Sequence, residues 1–509
     1  MLIETAATFL FTILPTPSSP AHGRALACAE TPSTLAVRQQ SSDSGDDNTA
    51  KKASKKAKDS KTPKASKQPK DPSRPKKTKA EKATAKAAKL APDEVVDPDE
   101  RVDTPVRRGL DAEWKQHPSI RLGSVGHIDF EAKFQEDTRG SYQGAPLDPW
   151  ELHRNRVGVK GKLFKHIEFE VERELTENEL TERDVILELE PGSPWKDVNV
   201  EFTYFKNAQV QVGKFKVPFG LDQLIGVSHN DFIYRSLGAN YLAPARDIGG
   251  MVHGRFFKRR LNYWSGAFQH DGDNARSKKI EGGDATFAQR FTSIPFRRDR
   301  LRGLELGTAF TISKLTDDSF RPNGLRGRTL LAQDTFYEPV YVKGRRRRWE
   351  ADLDWRGGPG SARAEYTWVS DDRHGQGFGD QDLPDARARA WYVMGSWILT
   401  GEKKERPLKP DGDLLQGGFG AVEVAARYER LWYDNAGGGA LEDASRTPRT
   451  EIILPESEHA LTLGVNWTLN RFIKLQFNLI REHVDDPGRS PVPNGDAFWS
   501  RLFRVQLVM

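Results

Sequence analysis

The chain has 509 residues and a formal net charge of +6, and 37% of its residues are hydrophobic. Its longest internal apolar run, at residues 391–399, is too short for a transmembrane helix of about 20 residues, so the composition excludes helical membrane spans and leaves open a soluble β protein or a transmembrane barrel. Cys28 is the only cysteine, which excludes a disulfide framework and a thiolate metal site.

Residues 1–29 have the pattern of a secretory signal peptide. A short apolar stretch covers residues 6–14, and a cleavage site of small residues ends at Ala29. No Lys or Arg precedes the apolar stretch, which is typical of a weak signal. A lipoprotein anchor at Cys28 is the alternative interpretation.

Residues 30–118 form a tail rich in Lys, Ala, Ser, Pro and Asp. The tail has too few apolar side chains to offset the entropy of ordering, so it is predicted to be disordered. Within it, residues 51–89 carry 16 Lys and Arg against three acids, a local charge of +13, which leaves −7 for the rest of the chain. The tail is interpreted either as a solvated spacer or as a segment that contacts a polyanion of the cell wall or membrane surface.

Residues 119–509 alternate between apolar and polar side chains with a period of two, which predicts β-strands. The prediction is an all-β protein, a transmembrane antiparallel β-barrel of about 16 strands. The predicted strands cover residues 122–134, 153–164, 166–176, 197–206, 208–217, 248–258, 260–270, 285–295, 302–314, 348–356, 361–370, 386–399, 418–432, 457–469, 471–482 and 498–509.

The connections between these strands alternate between short turns and long polar loops. Short turns on one side and long loops on the other, over an even number of strands, are typical of bacterial outer-membrane barrels. One connection on the short side, at residues 400–417, is long and does not follow the rule. Sixteen strands enclose a lumen too wide for side chains to fill, so the charged strand face is predicted to line water and the apolar face to meet lipid.

Several stretches also resemble a known family. They read GKFKVPFGLDQL, FIYRSL and ARDIGGMVHGRF within residues 213–256, AWYVMGSWILTGE from residue 390, GAVEVAARYERL from residue 420 and LTLGVNWTLNRFIKLQFNLIRE from residue 461. Together they resemble the phosphate-selective porin O and P family. The resemblance implies an outer-membrane porin, a water-filled channel for passive diffusion of small solutes, a preference for anions such as phosphate, and a homotrimer.

A loop of roughly 28 residues after Pro218 is the predicted constriction, because long loops inside compact proteins are usually functional. It carries Arg235 and Arg246, and guanidinium groups bind phosphate oxygens in a bidentate manner. The alternative is that Arg246 pairs with an acid such as Asp247 and only fixes the loop.

Two further sets of cations are candidates. Lys214 and Lys216 share one strand face and point into the lumen if Phe215 faces lipid. Arg345, Arg346, Arg347 and Arg348 lie where a long loop meets a strand. They are interpreted as a funnel for anions, a contact for lipopolysaccharide phosphates, or a solvated loop.

Patterns that would indicate an enzyme were not found. The sequence has no G-x-S-x-G elbow, no H-E-x-x-H and no glycine-rich phosphate loop, and its 11 His residues show no ligand spacing. The prediction is therefore no catalytic residues, no metal, no cofactor and no nucleic-acid partner. A structural or polysaccharide-binding β protein of the cell envelope is the alternative to a porin.

Overall fold

A computed structural model describes residues 121–137, 150–164, 166–175, 194–257, 260–272, 285–296, 301–316, 322–331, 334–437, 439–492 and 495–508. The predicted signal peptide and Lys-rich tail lie outside these residues. Among the residues described, no helix is both long and apolar enough to cross a membrane.

The described part of the chain contains eighteen strands and two short α-helices. The strands are β1 Arg121–Asp137, β2 Trp150–Leu163, β3 Ile167–Glu174, β4 Trp195–Phe205, β5 Ala208–Lys216, β6 Arg246–Phe256, β7 Leu261–Phe268, β8 Thr286–Ser293, β9 Glu305–Leu315, β10 Gly327–Arg328, β11 Thr335–Tyr337, β12 Gly344–Gly357, β13 Gly360–Arg373, β14 Leu383–Ile398, β15 Ala421–Asn435, β16 Glu456–Thr468, β17 Ile473–Val484 and β18 Ala497–Val508. The helices are α1 Leu221–Leu224 and α2 Leu237–Tyr241, and single 3₁₀ turns cover Val227–His229, Phe378–Asp380, Leu414–Gln416, Leu441–Asp443 and Pro487–Arg489.

Sixteen of these strands form one closed antiparallel barrel, and β10 pairs only with β11. Each barrel strand pairs with its neighbours in sequence, β9 pairs with β12, and β1 pairs with β18 to close the cylinder. The predicted architecture and strand number are therefore confirmed for the described residues. A closed barrel leaves no strand edge unpaired, which a sheet in hydrocarbon requires.

The two faces of the strands divide by polarity, as β15 illustrates. Val424 and Tyr428 are exposed, whereas Arg427 and Glu429 are buried. Charged side chains thus lie inside the barrel and apolar side chains outside, because a transmembrane barrel is surrounded by hydrocarbon. The apolar face is the outer one, as predicted.

The connections follow the predicted alternation. The short turns are residues 164–166, 206–207, 257–260, 358–359 and 469–472. Two connections on that side are longer, residues 294–304 and residues 399–420, and we call residues 399–420 the mouth segment. Its backbone folds over the short-turn rim, where Lys404 N donates to Gly358 O (2.8 Å) and Leu414 N to Leu469 O (2.9 Å).

The barrel encloses a hydrophobic cluster of its own. Leu237, Tyr241 and Leu242, from the connection between β5 and β6, belong to one cluster with Phe336 and Tyr337 of β11. Inward side chains of β14, β15 and β16 complete this cluster, among them the alanines of β14 and Leu431 and Tyr433 of β15. The Tyr337 ring stacks on Tyr433 with 4.0 Å between ring centroids. One side of the barrel interior is therefore filled with folded chain.

Candidate channel constriction and anion site

The connection between β5 and β6, residues 217–245, lies inside the barrel, and we call it the inner loop. It turns at Gly220, which has a φ of +82°. A side chain there would place its Cβ 3.0 Å from Cβ of Gln223 and 3.2 Å from Cβ of Ala243. Glycine therefore lets the chain turn from the wall into the lumen.

Carboxylates on three wall strands hold the backbone of the inner loop. Glu350 on β12, Glu365 on β13 and Glu429 on β15 each accept backbone hydrogen bonds. The donors are Gly220 N (2.7 Å) and Leu221 N (2.9 Å) to Glu350, Asp222 N (3.0 Å) to Glu365, and Leu237 N (2.6 Å) to Glu429. These charge-assisted bonds satisfy backbone groups that would otherwise be buried without partners.

Cations on the same side of the barrel bind the carbonyl groups of the loop. The contacts are Arg427 Nη1 to Tyr234 O (3.1 Å), Arg504 Nη1 to Ile233 O (3.3 Å) and Lys474 Nζ to Ser228 O (2.9 Å). The inner loop is therefore fixed against the wall formed by β12 to β18.

Asp231 anchors the bottom of the inner loop. Its carboxylate contacts the guanidinium of Arg363 on β13, and it accepts from Lys404 Nζ at 2.5 Å. Burial by itself would raise the pKa of Asp231, but Lys404 and Arg363 hold the pKa below its ordinary value. Asp231 is thus ionised at neutral pH and ties the loop to two cations.

The mouth segment supplies one of these cations. Lys404 also contacts Glu423 on β15, and Arg406 donates to Asp354 on β12 with both distances 3.4 Å. Both side chains are buried. The mouth segment thus enters the barrel from the short-turn side and supports the inner loop through the contact of Lys404 with Asp231.

The opposite wall, from β2 to β6, carries rows of opposite charge. Cations on β2 pair with acids on β3, and Arg246 on β6 pairs with Asp197 on β4. The distances are 2.6 Å for Lys162–Glu168 and Lys160–Glu170, 3.2 Å for Arg156–Glu172, 2.7 Å for Arg156–Glu174, and 2.7 Å for Arg246–Asp197. Asp197, and not Asp247, is the ion-pair partner of Arg246.

Four arginines converge where the inner loop faces this wall. Arg235 extends from the loop, Arg246 begins β6, and Arg154 and Arg156 lie on β2. Burial and, to a smaller extent, the guanidinium groups of the other three arginines lower the pKa of Arg235, Asp222 opposes them, and the net pKa is about 10. Arg235 still carries its charge at neutral pH, so the cluster concentrates positive charge.

Arg235 also has spare hydrogen-bonding capacity. Its Nη2 donates to the carbonyl of Ile225 at 2.6 Å. Its Nη1 is buried and has no hydrogen-bond partner among the described residues. A buried donor without a partner costs free energy, so this atom favours an acceptor such as a solute oxygen.

Phe215 faces the interior of the barrel. Lys214 and Lys216 were expected to point into the lumen only if Phe215 faced lipid, and this condition is not met. Phe215 is 3% exposed and packs on Phe268 at a centroid distance of 5.4 Å. Lys214 lies directly opposite Val198 and Ile248, which are exposed on the outer face. The left-handed φ of +123° at Gly213 marks an irregularity in the strand just before these residues.

Lys216 nevertheless reaches the inner loop. Its Nζ donates to Leu224 O (2.8 Å) and Ile225 O (3.2 Å). Ile225 O is also the acceptor for Arg235 Nη2. Lys216 and Arg235 therefore meet at one carbonyl, and Lys216 helps to position the arginine.

The four consecutive arginines lie on β12 and not in the preceding loop. Arg346 pairs with Asp371 (2.6 Å) and Asp271 (2.7 Å) inside the barrel, and Arg348 pairs with Asp271 (2.5 Å). Arg345 is exposed, and Arg347 pairs with Asp372 at 2.8 Å. A strand sends successive side chains to opposite faces, so this run divides between the interior and the outer surface.

Arg154, Arg156 and Lys404 were not predicted as site residues. Arg154 and Arg156 alternate with Val157 and Val159, which are outward, so period-two patterning of β2 could have placed them inside. Lys404 had no such signal, because it lies in an irregular segment whose path depends on tertiary contacts.

A group of acids on the same wall has the spacing of a metal site. One oxygen each of Glu170, Glu172 and Asp197 lie within 4.8 Å of one another. Each of these carboxylates, however, pairs with Lys160, Arg156 or Arg246 as described above. The cations neutralise the group, so we assign it to the charged lining.

Comparison with known proteins identifies a family. The sequence model of the family described as phosphate-selective porin O and P matches residues 120–503. No curated protein matches the chain.

Solved structures with a similar fold include outer-membrane proteins. OmpT of Vibrio cholerae is 12% identical, with a TM-score of 0.46 over 78% of this chain and 100% of that one. The outer-membrane channel DcaP of Acinetobacter baumannii is 10% identical, with a TM-score of 0.45 over 78% and 99%. OprB of Pseudomonas putida is 11% identical, with a TM-score of 0.44 over 77% and 94%.

Proposed function

Because the chain belongs to the phosphate-selective porin O and P family and forms an outer-membrane channel, we propose that this channel prefers small anions, phosphate among them. We assign the selectivity to Arg154, Arg156, Arg235 and Arg246. Lys216 positions Arg235 through the shared carbonyl of Ile225.

The observation that carries the proposal is the proximity of three other guanidinium groups to Arg235, whose Nη1 has no protein partner among the described residues. Selectivity in a pore requires fixed charge at a narrow point. A phosphate oxygen would accept from Nη1 and reduce the repulsion between the arginines. The neighbouring acids are engaged in ion pairs, so the open donor favours an anion over a cation.

The remaining expectations form part of the proposal. We propose that the chain is no enzyme, that residues 1–29 are a signal peptide and residues 30–118 a tail on a barrel of residues 119–509, and that the tail meets an envelope polyanion. We also propose a homotrimer, as membership of the family implies.

Planar bilayer recordings of the refolded chain test the proposal. We expect reversal potentials under a chloride gradient to indicate anion preference, and phosphate to block the chloride current. In Arg235→Gln we expect phosphate to block about tenfold more weakly, because a charge-assisted hydrogen bond contributes roughly 1.5–3 kcal/mol.

Arg173→Gln is the matched control, because Arg173 stacks on Trp195 on the outer face and should leave conduction unchanged. A preference for cations would refute the anion site but not the assignment as a porin. An equally strong phosphate block in Arg235→Gln would have the same meaning. A heat-modifiable barrel without channels would favour the structural alternative.

A further inference from the structure

Three arginines lie on the outer face of the barrel, near the rim where the long loops begin. They are Arg389 on β14, Arg430 on β15 and Arg481 on β17. Each lies between two buried, inward-facing neighbours, namely Ala388 and Ala390, Glu429 and Leu431, and Ile480 and Glu482. Period-two alternation therefore directs all three arginines outward.

Two tryptophans hold these guanidinium groups. The Trp432 ring lies 5.9 Å from Arg389 Cζ and 5.4 Å from Arg430 Cζ, and the Trp499 ring lies 5.9 Å from Arg481 Cζ. Strand register places Trp432 opposite Arg389 and Trp499 opposite Arg481. Tryptophans at this level are typical of the boundary between hydrocarbon and headgroups, so the arginines lie at headgroup depth.

Among the described residues, a carboxylate pairs with only one of these three arginines. Arg389 pairs with Asp434 at 3.0 Å. Arg430 donates to Ser457 Oγ at 3.2 Å, and its buried Nε has no hydrogen-bond partner in the part of the chain that the structure describes. Within the described part of the chain, no carboxylate pairs with Arg430 or Arg481. Two cations at a lipid boundary thus lack a counter-ion among the described residues.

We propose that Arg389, Arg430, Trp432, Arg481 and Trp499, which we call the rim patch, bind the phosphate groups of a phosphorylated glycolipid of the outer leaflet, the lipid A part of lipopolysaccharide. The guanidinium fork matches phosphate oxygens, and the tryptophans cover the adjoining sugar and acyl chains. This site faces the membrane, so it is independent of the solute route inside the barrel.

Native mass spectrometry of the full chain in detergent, titrated with bis-phosphorylated lipid A, tests the proposal. We expect the triple variant Arg389→Gln, Arg430→Gln, Arg481→Gln to bind lipid A about tenfold more weakly, which corresponds to about 1.4 kcal/mol. Lipid A with both phosphates removed should bind the unchanged protein as weakly as it binds the variant. Inorganic phosphate at the same concentration should not compete.

Arg471→Gln is the matched control. Arg471 also stacks on an aromatic ring, Phe472 at 4.4 Å, but it lies at the short-turn rim and should leave lipid A binding unchanged. If the triple variant does not run as a heat-modifiable barrel, Arg430→Gln and Arg481→Gln are measured singly, and each should weaken binding about threefold.

Several results would overturn the proposal. Equal affinity of the triple variant and the unchanged protein for lipid A would do so, as would competition by inorganic phosphate. A triple variant that keeps its lipid A affinity but loses its oligomeric state would show that the patch joins copies of the chain.

Discussion

Asp231 lies at the lower end of the inner loop, between cations from two distant parts of the sequence. Arg363 reaches it from β13 and Lys404 from the mouth segment, and all three side chains are buried. Removing one partner from a buried ion pair leaves an uncompensated charge, which costs roughly 3–5 kcal/mol. The carboxylate therefore governs the position of the whole loop.

We expect Asp231→Asn to release the lower part of the inner loop, because Arg363 and Lys404 would be left without their shared carboxylate. Single-channel recordings should show a noisier open state with added conductance levels. Asp382→Asn is the matched control, because that carboxylate is exposed and distant from the loop. Identical traces for both variants would show that Asp231 does not hold the loop.

The same carboxylate gives a pH dependence. Its pKa is lowered in the folded protein, so its stabilisation is present above the unfolded pKa of about 3.9 and is lost as the pH falls through the lower folded pKa. We therefore expect the current noise of the open unchanged channel to stay at the same low level from pH 7 down to about pH 4.5. Asp231→Asn should be noisy over that whole range.

Among the elements, the mouth segment is the connection that departs most from the alternation of short turns and long loops. Residues 399–420 are long because they re-enter the barrel and place Lys404 and Arg406 against acids from three other elements. A tight turn between β14 and β15 could not do this. The segment thus acts as a support for the inner loop.

We expect Lys404→Ala to loosen the inner loop, because Asp231 would keep only Arg363 and Glu423 would lose its cation. Thermal unfolding should begin at a lower temperature, and open-channel noise should rise as it does for Asp231→Asn. The control is Lys403→Ala, since Lys403 is exposed in the same segment. The idea fails if the double variant of Asp231 and Lys404 shows the sum of the two single effects, because partners in one network should not be additive.

At the scale of the whole molecule, the barrel depends on the pairing of its first and last strands. Phe130 on β1 lies opposite Val505 on β18, although 375 positions separate them. Local sequence patterns cannot specify such a pair. It forms because an unpaired strand edge in hydrocarbon would leave backbone groups without partners.

We expect cysteines at Phe130 and Val505, in a Cys28→Ser background, to form a disulfide. Directly opposed antiparallel residues have Cα atoms about 4.5–5.5 Å apart, which suits a disulfide. Gel mobility after heating without reductant measures the crosslink. Cysteines at Phe130 and Phe477 are the control, because β17 is one strand further and about 10 Å away. Crosslinking of the control alone would contradict the closure register.

The sequence by itself determined the strands and their number. Residues such as Val424 and Tyr428 alternate with Arg427 and Glu429. This pattern can be read without the tertiary structure, because successive side chains of a strand point to opposite faces. Loop parity then indicated an outer-membrane barrel. Arg235 and Arg246 were proposed from the sequence as candidate site residues, since they lie in a long loop that interrupts the pattern.

Only the tertiary structure decided which charges meet. Arg246 pairs with Asp197 instead of its neighbour Asp247, and Arg235 faces Arg154 and Arg156 from a strand far away in sequence. Alternation was also misleading at Phe215, where an apolar side chain faces inward because the inner loop offers it a dry surface. Alternation along a strand shows only which side chains share a face. What the inner face contacts depends on the loop that folds inside the barrel.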